Sequence, residues 1–283
     1  MKLATVRLTT EPGLTTAAVI EEGRLYYLEN LANVQKFLRL DNATQQEVVA
    51  RALVGESIAE GEADYAALIP TPAKVYCIGL NYRNHIAEVG AEEPKFPTVF
   101  AKFASTLCGA NDDIEIPAED HRMDYEGELA IVIGKPGRRI SAEDAENHIA
   151  GYAVSNDVSM RGFQGRTTEW LQGKAWDKST PVGPWLVTTE EFTPGAKITT
   201  KVNGEVVQED SIDDLVFSAA ELVSYLSVIN ELQPGDLILT GTPAGVALGR
   251  RDDHGRRPWL KAGDVLETSI EGLGTSAVKF TSA

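Results

Sequence analysis

Two glutamates stand directly before a short apolar run, and this combination restricts the fold more than any other stretch of the chain. Leu129–Ile133 is apolar and stops at Gly134, which predicts a buried strand. Because residues two apart in a strand point to the same face, Glu126 and Glu128 project side by side, about 6–7 Å apart along the chain. Such carboxylates repel each other and are costly to desolvate unless a divalent cation lies between them, and oxygen ligands suit Mg²⁺ or Mn²⁺. The alternative is a polar strand end with two solvated glutamates, and the short motif alone favours it.

The composition limits the partners and the compartment. A formal net charge of -16 over 283 residues argues against a nucleic-acid or anionic-membrane partner, and an anionic substrate would need a local cation. Two cysteines, Cys77 and Cys108, are too few for a disulfide framework and predict reduced thiols. The N-terminal segment lacks the apolar core of a signal peptide, and no run approaches membrane-spanning length. We therefore expect a cytoplasmic protein without nucleic-acid or membrane partners.

The sequence divides into a small N-terminal unit and a larger strand-rich remainder. Residues 1–70 predict a strand, a hairpin and two helices near 33–40 and 44–53, and they contain no cluster of reactive side chains. Prolines in the segment Ile69–Pro72 predict an extended linker. We therefore predict a small N-terminal α/β domain over 1–70 and a second domain over 71–283, in an α+β fold that is mainly β.

Three local patterns in the second domain predict particular elements. Asn203-Gly204 lies between two strand-forming runs and is a strong signal for a two-residue hairpin. Ser141–Asp144 predicts the start of a helix that ends near His148. In the turn Gly241–Gly245, small residues let backbone amides approach an anion closely, and the Thr242 hydroxyl adds a further donor.

A histidine and a glutamate on one predicted helix are candidates for general-base chemistry. The helix is expected within residues 81–90, where His85 and Glu88 are three apart and therefore lie on one face. A carboxylate beside an imidazole fixes its tautomer and raises its basicity. Glycine and proline residues between 90 and 97 flank the helix, so residues 82–97 are expected to act as a lid. The alternative is an incidental pair on an exposed helix.

Five polar side chains elsewhere in the second domain are candidates for the same site. Asp157 ends the strand that follows the two glutamates, and we propose it as the third metal ligand. Arg161 and Gln164 follow it by four and seven residues, about one and two helical turns, so the three can share one face. Lys102 lies among apolar strand residues, where a lysine either extends to the surface or faces a site. Lys174 lies near aromatic residues before a turn, and an ordinary surface lysine is the alternative.

Taken together, these motifs resemble the fumarylacetoacetate hydrolase family. The resemblance covers about residue 74 to the C-terminus, with the motifs in the family's order, and the combination is far more specific than any motif alone. The motifs that carry it are Gly79-Leu-Asn-Tyr82 with His85 and Glu88, Asp124-Tyr-Glu-Gly-Glu-Leu129, Asn156-Asp157 with Arg161 and Gln164, Lys174, and Pro234-Gly-Asp-Leu-Ile-Leu-Thr-Gly-Thr-Pro-Ala-Gly-Val246.

The resemblance implies a fold, a metal and a set of roles. It implies a mixed β-roll, and a magnesium or manganese ion on Glu126, Glu128 and Asp157. It also implies that His85 and Glu88 activate water. The substrate contacts that we expect, in part from the resemblance and in part from charge, are Lys102, Arg161, Gln164, Lys174 and Thr242, with Lys174 also counted as catalytic. Together with the need to cover strand edges, the resemblance further predicts a homodimer.

The expected function is the hydrolysis of a carbon–carbon bond in a 2,4-dioxo acid of the acylpyruvate or fumarylpyruvate type. Such a 2-oxo acid would chelate the metal, which acts as a Lewis acid, while His85 deprotonates the attacking water. Lys174 and Lys102 would stabilise the developing negative charge. The alternatives within the family are an oxaloacetate decarboxylase and a 2-hydroxy-dienoate isomerase or decarboxylase at the same metal site. A non-catalytic metal- or acid-binding protein would need no His–Glu pair, and an unrelated β-protein with chance matches is the remaining alternative.

Overall fold

The computed structural model describes all 283 residues and is dominated by strands. The N-terminal part contains the elements β1 (Lys2–Arg7), β2 (Thr15–Glu21), β3 (Arg24–Leu28), α1 (Val34–Leu38), α2 (Asn42–Ala52) and β4 (Ser57–Ala59). Both helices predicted in this part are confirmed, and each end lies within two residues of the predicted one. Each begins after a side-chain cap, since Asn33 accepts from the Lys36 amide and Asp41 accepts from the Thr44 amide.

The central part of the chain supplies most of the strands. Its elements are β5 (Val75–Gly79), α3 (Arg83–Val89), β6 (Thr98–Lys102), β7 (Leu107–Cys108), β8 (Ile114–Ile116), β9 (Met123–Asp124), β10 (Gly127–Ile133), β11 (Ile149–Asn156), β12 (Ser159–Met160), α4 (Arg161–Gln164), α5 (Leu171–Lys174), β13 (Thr180–Pro181) and β14 (Leu186–Thr188). The C-terminal part adds β15 (Lys197–Val202), β16 (Glu205–Ser211), α6 (Ala219–Ile229), β17 (Leu237–Leu239), β18 (Val265–Ile270) and β19 (Gly274–Ser282). Short 3₁₀ turns cover Glu60–Glu62, Ala104–Thr106, Ala145–His148, Thr189–Glu191 and Ile212–Asp214.

Two large sheets form the molecule. A ten-stranded sheet has the order β4-β3-β2-β1-β14-β11-β10-β17-β5-β6, and a five-stranded sheet has the order β16-β15-β18-β19-β8. Most neighbours in both sheets are antiparallel, with β17 parallel to β5 and β19 parallel to β8. This arrangement confirms the expected mainly β architecture. No helix in it combines the length and the apolar composition needed to cross a bilayer.

The N-terminal strands extend the same sheet that carries the two glutamates. β1 pairs with β14, with Leu3 opposite Leu186, so the predicted boundary at residue 70 is crossed by a continuous sheet. Leu3 and Phe37 also share one buried apolar cluster with Ala130 and Val132 of β10. The division into domains 1–70 and 71–283 stays a prediction.

β10 is buried on both of its faces, which explains its continuous apolar sequence. Leu129, Ile131 and Ile133 pack into a cluster that includes three buried residues of α6, whereas Ala130 and Val132 pack on the opposite face. A strand covered on both faces does not alternate between apolar and polar residues. The prediction of a buried strand at Leu129–Ile133 is therefore confirmed, and that strand lies in the middle of the large sheet.

The register of the large sheet brings the candidate residues to one face. A row of directly paired residues crosses four strands, namely Ala130, Leu239, Cys77 and Phe100. Directly paired residues project to the same face, as do residues two apart on one strand. Glu128 precedes Ala130 by two positions and is paired with Ser155, so both lie on this face. Lys102 follows Phe100 by two positions and lies there as well.

The two sheets are in close contact at Gly127, between the two glutamates. A Cβ atom on this residue would lie 2.2 Å from Thr200 Oγ1 and 3.0 Å from Thr268 Cγ2, both on the five-stranded sheet. Only glycine leaves room for this contact. Its amide donates to Gln208 Oε1 at 3.0 Å, which joins the two sheets at the motif.

Two of the local sequence predictions have different outcomes. The Asn203-Gly204 hairpin is confirmed between β15 and β16, and both residues have the positive φ values, 52° and 83°, that a tight two-residue turn requires. The helix expected from Ser141 to His148 is wrong, because only the 3₁₀ turn Ala145–His148 forms there. β11 begins at the next residue, so the chain must become extended before an α-helical turn is completed.

Candidate active site

Three buried carboxylates meet at the ends of two neighbouring strands. Glu126 directly precedes β10, Glu128 is its second residue, and Asp157 directly follows β11. One oxygen from each side chain can be chosen so that all three lie within 4.8 Å of one another. The Asp157 amide donates to the Glu126 carbonyl at 2.8 Å, which fixes the two strand ends together. The three side chains that the sequence assigned to one metal are thus brought together.

Two buried lysines bind these carboxylates. Lys102 Nζ donates to Asp157 Oδ1 at 2.5 Å, and Lys174 Nζ donates to Asp157 Oδ2 at 2.9 Å. Lys174 also donates to Glu126. Burial lowers the pKa of Lys174, but Asp157 and Glu126 outweigh this effect and raise it above its ordinary value. Both ammonium groups are therefore held as counter-ions of the carboxylates.

Arg161 adds a third cation. Its Nε donates to Asp124 Oδ2 at 2.8 Å, and its two terminal nitrogens donate to Glu126 Oε1 at 2.6 Å and Gln164 Oε1 at 2.7 Å. Burial raises the pKa of Glu126, but Arg161 and Lys174 outweigh it and bring the pKa to about 2. Glu126 is therefore ionised at any physiological pH.

Glu128 is the carboxylate without a cationic partner. It accepts one hydrogen bond, from the Gly241 amide at 2.9 Å. Burial, followed by the charges of Asp157 and Glu126, raises its pKa well above the ordinary range. A divalent cation would remove this penalty, and three oxygen ligands match the preference of Mg²⁺ and Mn²⁺.

These seven side chains form what we call the charge cluster, made up of Asp124, Glu126, Glu128, Asp157, Lys102, Arg161 and Lys174. All are buried, apart from Arg161, whose side chain is still only 7% exposed. With every carboxylate ionised, the four carboxylates exceed the three cations by one negative charge. The residues present therefore fit a bound divalent cation both by donor type and by charge.

The histidine–glutamate pair forms on the short helix α3. His85 Nδ1 lies 3.0 Å from Glu88 Oε2, and both side chains are largely buried, at 11% and 18% exposure. Glu88 Oε1 accepts from the Gly245 amide at 3.0 Å, so its carboxylate is held from both sides. A neutral imidazole that donates its Nδ1–H to Glu88 presents an unprotonated Nε2, which can accept a proton. The helix predicted within residues 81–90 and the pair on it are both present.

One cavity of about 270 Å³ joins the helix to the charge cluster. Its polar lining consists of His85, Glu126, Glu128, Arg161, Gln164, Lys174 and Thr242. Its apolar lining includes Ile78, Leu80, Val89, Ala91, Phe100, Trp170 and Leu248. A larger cavity of about 1140 Å³ lies against α1 and α2 and is lined by none of the predicted site residues. Chemistry, rather than volume, identifies the smaller cavity as the candidate site.

Two predicted substrate contacts have other partners in the structure. Lys102 lies outside the lining of the cavity, where its ammonium group is bound to Asp157. Arg161 lines the cavity, but Asp124, Glu126 and Gln164 already accept its hydrogen bonds. Positive charge at both positions therefore acts on the carboxylates of the charge cluster.

The turn Gly241–Gly245 binds anions that belong to the protein itself. The amides of Gly241 and Gly245 donate to Glu128 and Glu88, so they orient site carboxylates where the sequence suggested a bound anion. Thr242 Oγ1 accepts from Gln208 Nε2 at 2.8 Å, which leaves the hydroxyl proton free to donate into the cavity. The expected donor role of Thr242 is compatible with this geometry.

Two supporting residues were missed by the sequence reasoning. Asp124 accepts from the amides of Ala247 at 2.7 Å and Leu248 at 3.1 Å, and so ties the cavity wall to Arg161. Its alternation with Glu126 and Glu128 was the signal that could have revealed it. Gln208 bridges Gly127 and Thr242 from the five-stranded sheet, and nothing in the local sequence marks it.

The chain matches a known protein family and is similar to enzymes of three different activities. Residues 74–281 match the family described as fumarylacetoacetate (FAA) hydrolase C-terminal. The mitochondrial oxaloacetate tautomerase FAHD2A of Bos taurus is 42% identical over 245 residues, which cover 84% of this chain and 76% of the relative. The structure of a 2-hydroxyhepta-2,4-diene-1,7-dioate isomerase from Mycobacterium marinum matches with a TM-score of 0.78 and 30% identity, over 100% of this chain and 98% of the other. That of a maleylpyruvate hydrolase from Sphingobium sp. SYK-6, in complex with manganese(II) and pyruvate, matches with a TM-score of 0.81 and 26% identity over both full chains.

Proposed function

Because this chain belongs to the fumarylacetoacetate hydrolase family, a family of enzymes that includes hydrolases, isomerases and tautomerases, we propose that it hydrolyses a carbon–carbon bond in a 2,4-dioxo acid. Acylpyruvates and fumarylpyruvate are the substrate type. The observation that carries this proposal is the His85–Glu88 pair, whose histidine lines the same cavity as the carboxylates of Glu126 and Glu128. Hydrolysis requires a base for water beside a site for the 2-oxo acid, and this cavity contains both.

The three carboxylates would hold Mg²⁺ or Mn²⁺. Glu126, Glu128 and Asp157 are the ligands by geometry and charge, and the manganese-bound maleylpyruvate hydrolase supports the choice of ion. When bound, such an ion supplies Lewis-acid stabilisation of negative charge on the substrate oxygens. Lys102, Arg161 and Lys174 hold the ligand carboxylates in place, because each donates to at least one of them.

His85 and Glu88 perform the proton transfer. His85 Nε2 accepts a proton from water as the water oxygen attacks the distal carbonyl carbon of the substrate. Glu88 stabilises the imidazolium that forms, and the Gly245 amide holds Glu88 in position during this step. The electron pair of the broken C–C bond passes to the pyruvate half, which takes up a proton, and the acyl half leaves as a carboxylic acid.

Three polar residues in the lining are placed to orient the substrate. Gln164 accepts from Arg161 through Oε1, so its amide nitrogen remains available as a donor. The Thr242 hydroxyl keeps its proton for the same purpose. Lys174 lines the cavity between Glu126 and Asp157 and stabilises negative charge that develops nearby.

Oxaloacetate tautomerisation is the second candidate. The Bos taurus tautomerase at 42% identity favours it over the oxaloacetate decarboxylase that the sequence also left open. Tautomerisation moves a proton between the oxo oxygen and the carbon next to the oxo group, and His85 can exchange the proton at that carbon without an attacking water. The 2-hydroxy-dienoate isomerase alternative likewise needs proton transfer alone and has the Mycobacterium marinum structure in its favour.

Substrate turnover by the wild-type protein separates these candidates. The protein is dialysed against EDTA, supplied with Mg²⁺ or Mn²⁺, and assayed for loss of the enol absorbance of an acylpyruvate and for change in the enol absorbance of oxaloacetate. We expect no acylpyruvate cleavage in EDTA and recovery with either ion, with release of pyruvate. Turnover of oxaloacetate alone would replace the hydrolase proposal by the tautomerase, and full activity in EDTA would reject the metal.

We also propose that the protein is a homodimer. β6 is an edge strand of the large sheet, and Phe96 and Phe103 on either side of it are 69% and 54% exposed. Exposed sheet edges and large apolar side chains favour association. Light scattering at micromolar concentration should give a mass of twice 30.6 kDa, and a monomeric mass would contradict the proposal.

A further inference from the structure

Interactions within the helix α3 do not by themselves fix the position of His85. α3 has seven residues, and Tyr82, the residue directly before it, makes no side-chain capping bond. Isolated helices of this length are unstable in water, so tertiary contacts must fix where His85 points. The contacts around α3 therefore decide the catalytic geometry.

Asn84, the residue directly before His85, makes two of these contacts in opposite directions. Its Oδ1 accepts from the Ala244 amide at 3.0 Å, and its Nδ2 donates to the Asp210 carboxylate. The orientation of the side-chain amide follows from its partners, because an amide N–H can only donate and a carboxylate can only accept. The Ser211 amide donates to the other Asp210 oxygen at 2.7 Å and holds that partner still.

The turn Gly241–Gly245 binds two side chains of α3, one before His85 and one after it. Ala244 donates to Asn84, and the next residue, Gly245, donates to Glu88. Asn84 and Glu88 are four apart and lie on one face of α3. On the other side of the helix start, Arg83 donates to the carbonyls of Asp214 at 3.1 Å and Leu215 at 3.3 Å. Asn84 is the residue that joins the turn to β16, where Asp210 lies.

We propose that Asn84 is a positioning residue for His85, acting as a two-way bridge between the turn Gly241–Gly245 and Asp210 on β16. It does not line the cavity and does not contact the three carboxylates, so it acts only through the position of α3. The inference rests on the proposed role of His85 as a base. It makes the rate of proton transfer depend on a contact with the five-stranded sheet.

An exchange of donor and acceptor tests the bridge. Asn84→Asp keeps the acceptor for Ala244 but places a second carboxylate against Asp210, and we expect kcat to fall about 10–100-fold. KM and the affinity for Mn²⁺ should stay within about threefold of the wild-type values, since the charge cluster is untouched. Adding Asp210→Asn to the same chain restores one donor and one acceptor across the bond, and kcat should return to within about threefold. Asp210→Asn alone keeps a neutral amide–amide bond and should change kcat by less than about fivefold.

Hydrogen exchange gives a readout that does not depend on turnover. Amides of residues 83–89 should exchange faster in Asn84→Asp and at the wild-type rate in the double variant. Unchanged kcat and unchanged exchange in Asn84→Asp, or a double variant that stays as impaired as the single one, would overturn the proposal. If His85→Ala leaves turnover intact, the proposed function fails, and the exchange rates alone then decide whether Asn84 positions the helix.

Discussion

The charge cluster and α3 are two halves of one site, and they are held in place by different interactions. The cluster consists of buried side chains at the ends of neighbouring strands and on the short helices α4 and α5, and every member has a partner within the cluster or a backbone amide. α3 is a short helix beside the cavity that buries Ile86, and its exposed residue Asn84 makes hydrogen bonds to a turn and a hairpin. Breaking a buried ion pair typically costs about 3–5 kcal/mol, whereas exposed pairs contribute about 0–1 kcal/mol. The difference teaches that binding of the ion is fixed by the core, while placement of the base can be adjusted at little cost in stability.

Removal of the base should give the largest effect and should leave the cluster unharmed. We expect His85→Ala to lower kcat for acylpyruvate cleavage by about 10²–10⁴-fold, because water must then attack the carbonyl carbon without general-base assistance. Any oxaloacetate decarboxylation should fall much less, since carbon dioxide leaves without an attacking water. Glu88→Gln should have a smaller effect than His85→Ala, because it removes the orienting charge alone. The enol absorbance of the acylpyruvate and pyruvate release from oxaloacetate are the measurements.

If His85→Ala also weakens metal binding, the charge cluster and α3 are not independent parts of the site. His85 does not belong to the charge cluster, so Mn²⁺ affinity measured by titration calorimetry should equal that of the wild type. A variant that still cleaves acylpyruvate well would show that the base lies elsewhere.

Loss of one cluster carboxylate should produce the opposite pattern. Glu128→Ala is expected to lower Mn²⁺ affinity by at least about 100-fold, since removal of groups that merely orient a ligand already costs about 10–100-fold. The protein should remain folded, because Glu128 is the carboxylate with no cationic partner and its removal leaves no unpaired cation. Titration calorimetry and circular dichroism measure the two quantities, and unfolding of the variant would contradict this assignment.

Packing beneath the cluster should affect stability before it affects chemistry. Gly127→Ala places a Cβ 2.2 Å from Thr200 Oγ1, and such overpacking typically costs about 1–3 kcal/mol of unfolding free energy. Gly61→Ala is the matched control, because a Cβ there meets nothing within 4 Å. Urea denaturation of the two variants should show a lower midpoint for the first only. Equal midpoints would contradict a tight contact between the two sheets at Gly127.

The smallest effect concerns the mobility of residues 82–97. Ligand binding should slow amide exchange in this segment when oxalate or pyruvate is added with Mg²⁺, because α3 gains contacts across the cavity. Amides of β10 are the internal control, since their hydrogen bonds lie in the middle of the sheet and should exchange slowly in both states. Protection that is identical with and without ligand would reject the lid, though not the base.

Those parts of the site that depend on local periodicity could be predicted from the sequence. A strand period of two places Glu126 and Glu128 together whatever surrounds them, and a helix places His85 beside Glu88. The Asn203-Gly204 turn was predictable for the same reason. Each of these is decided within a few residues, and the structure shows all of them.

Features that depend on sheet order could not be predicted. Lys102 meets Asp157 only because β6 and β11 both belong to the large sheet, although 55 residues separate the two in sequence. Gln208 and Asp210 reach the site from the other sheet, and no local pattern marks a strand residue for such a role. The helix expected at Ser141 failed because a strand begins at Ile149, so the demands of the sheet outweighed a local capping signal.

The alternation of β10 has a consequence for folding itself. Glu128 lies on the face of Ala130, whereas Leu129 packs into the larger apolar cluster on the opposite face. If this strand paired one position out of step with β11, the glutamate would enter that cluster and the leucine would face the lysines. A lone charge among apolar side chains costs several kcal/mol, so the mispaired sheet is excluded as the chain folds. A carboxylate that is positioned to bind the ion therefore also fixes the register of the strand and the face that each side chain occupies.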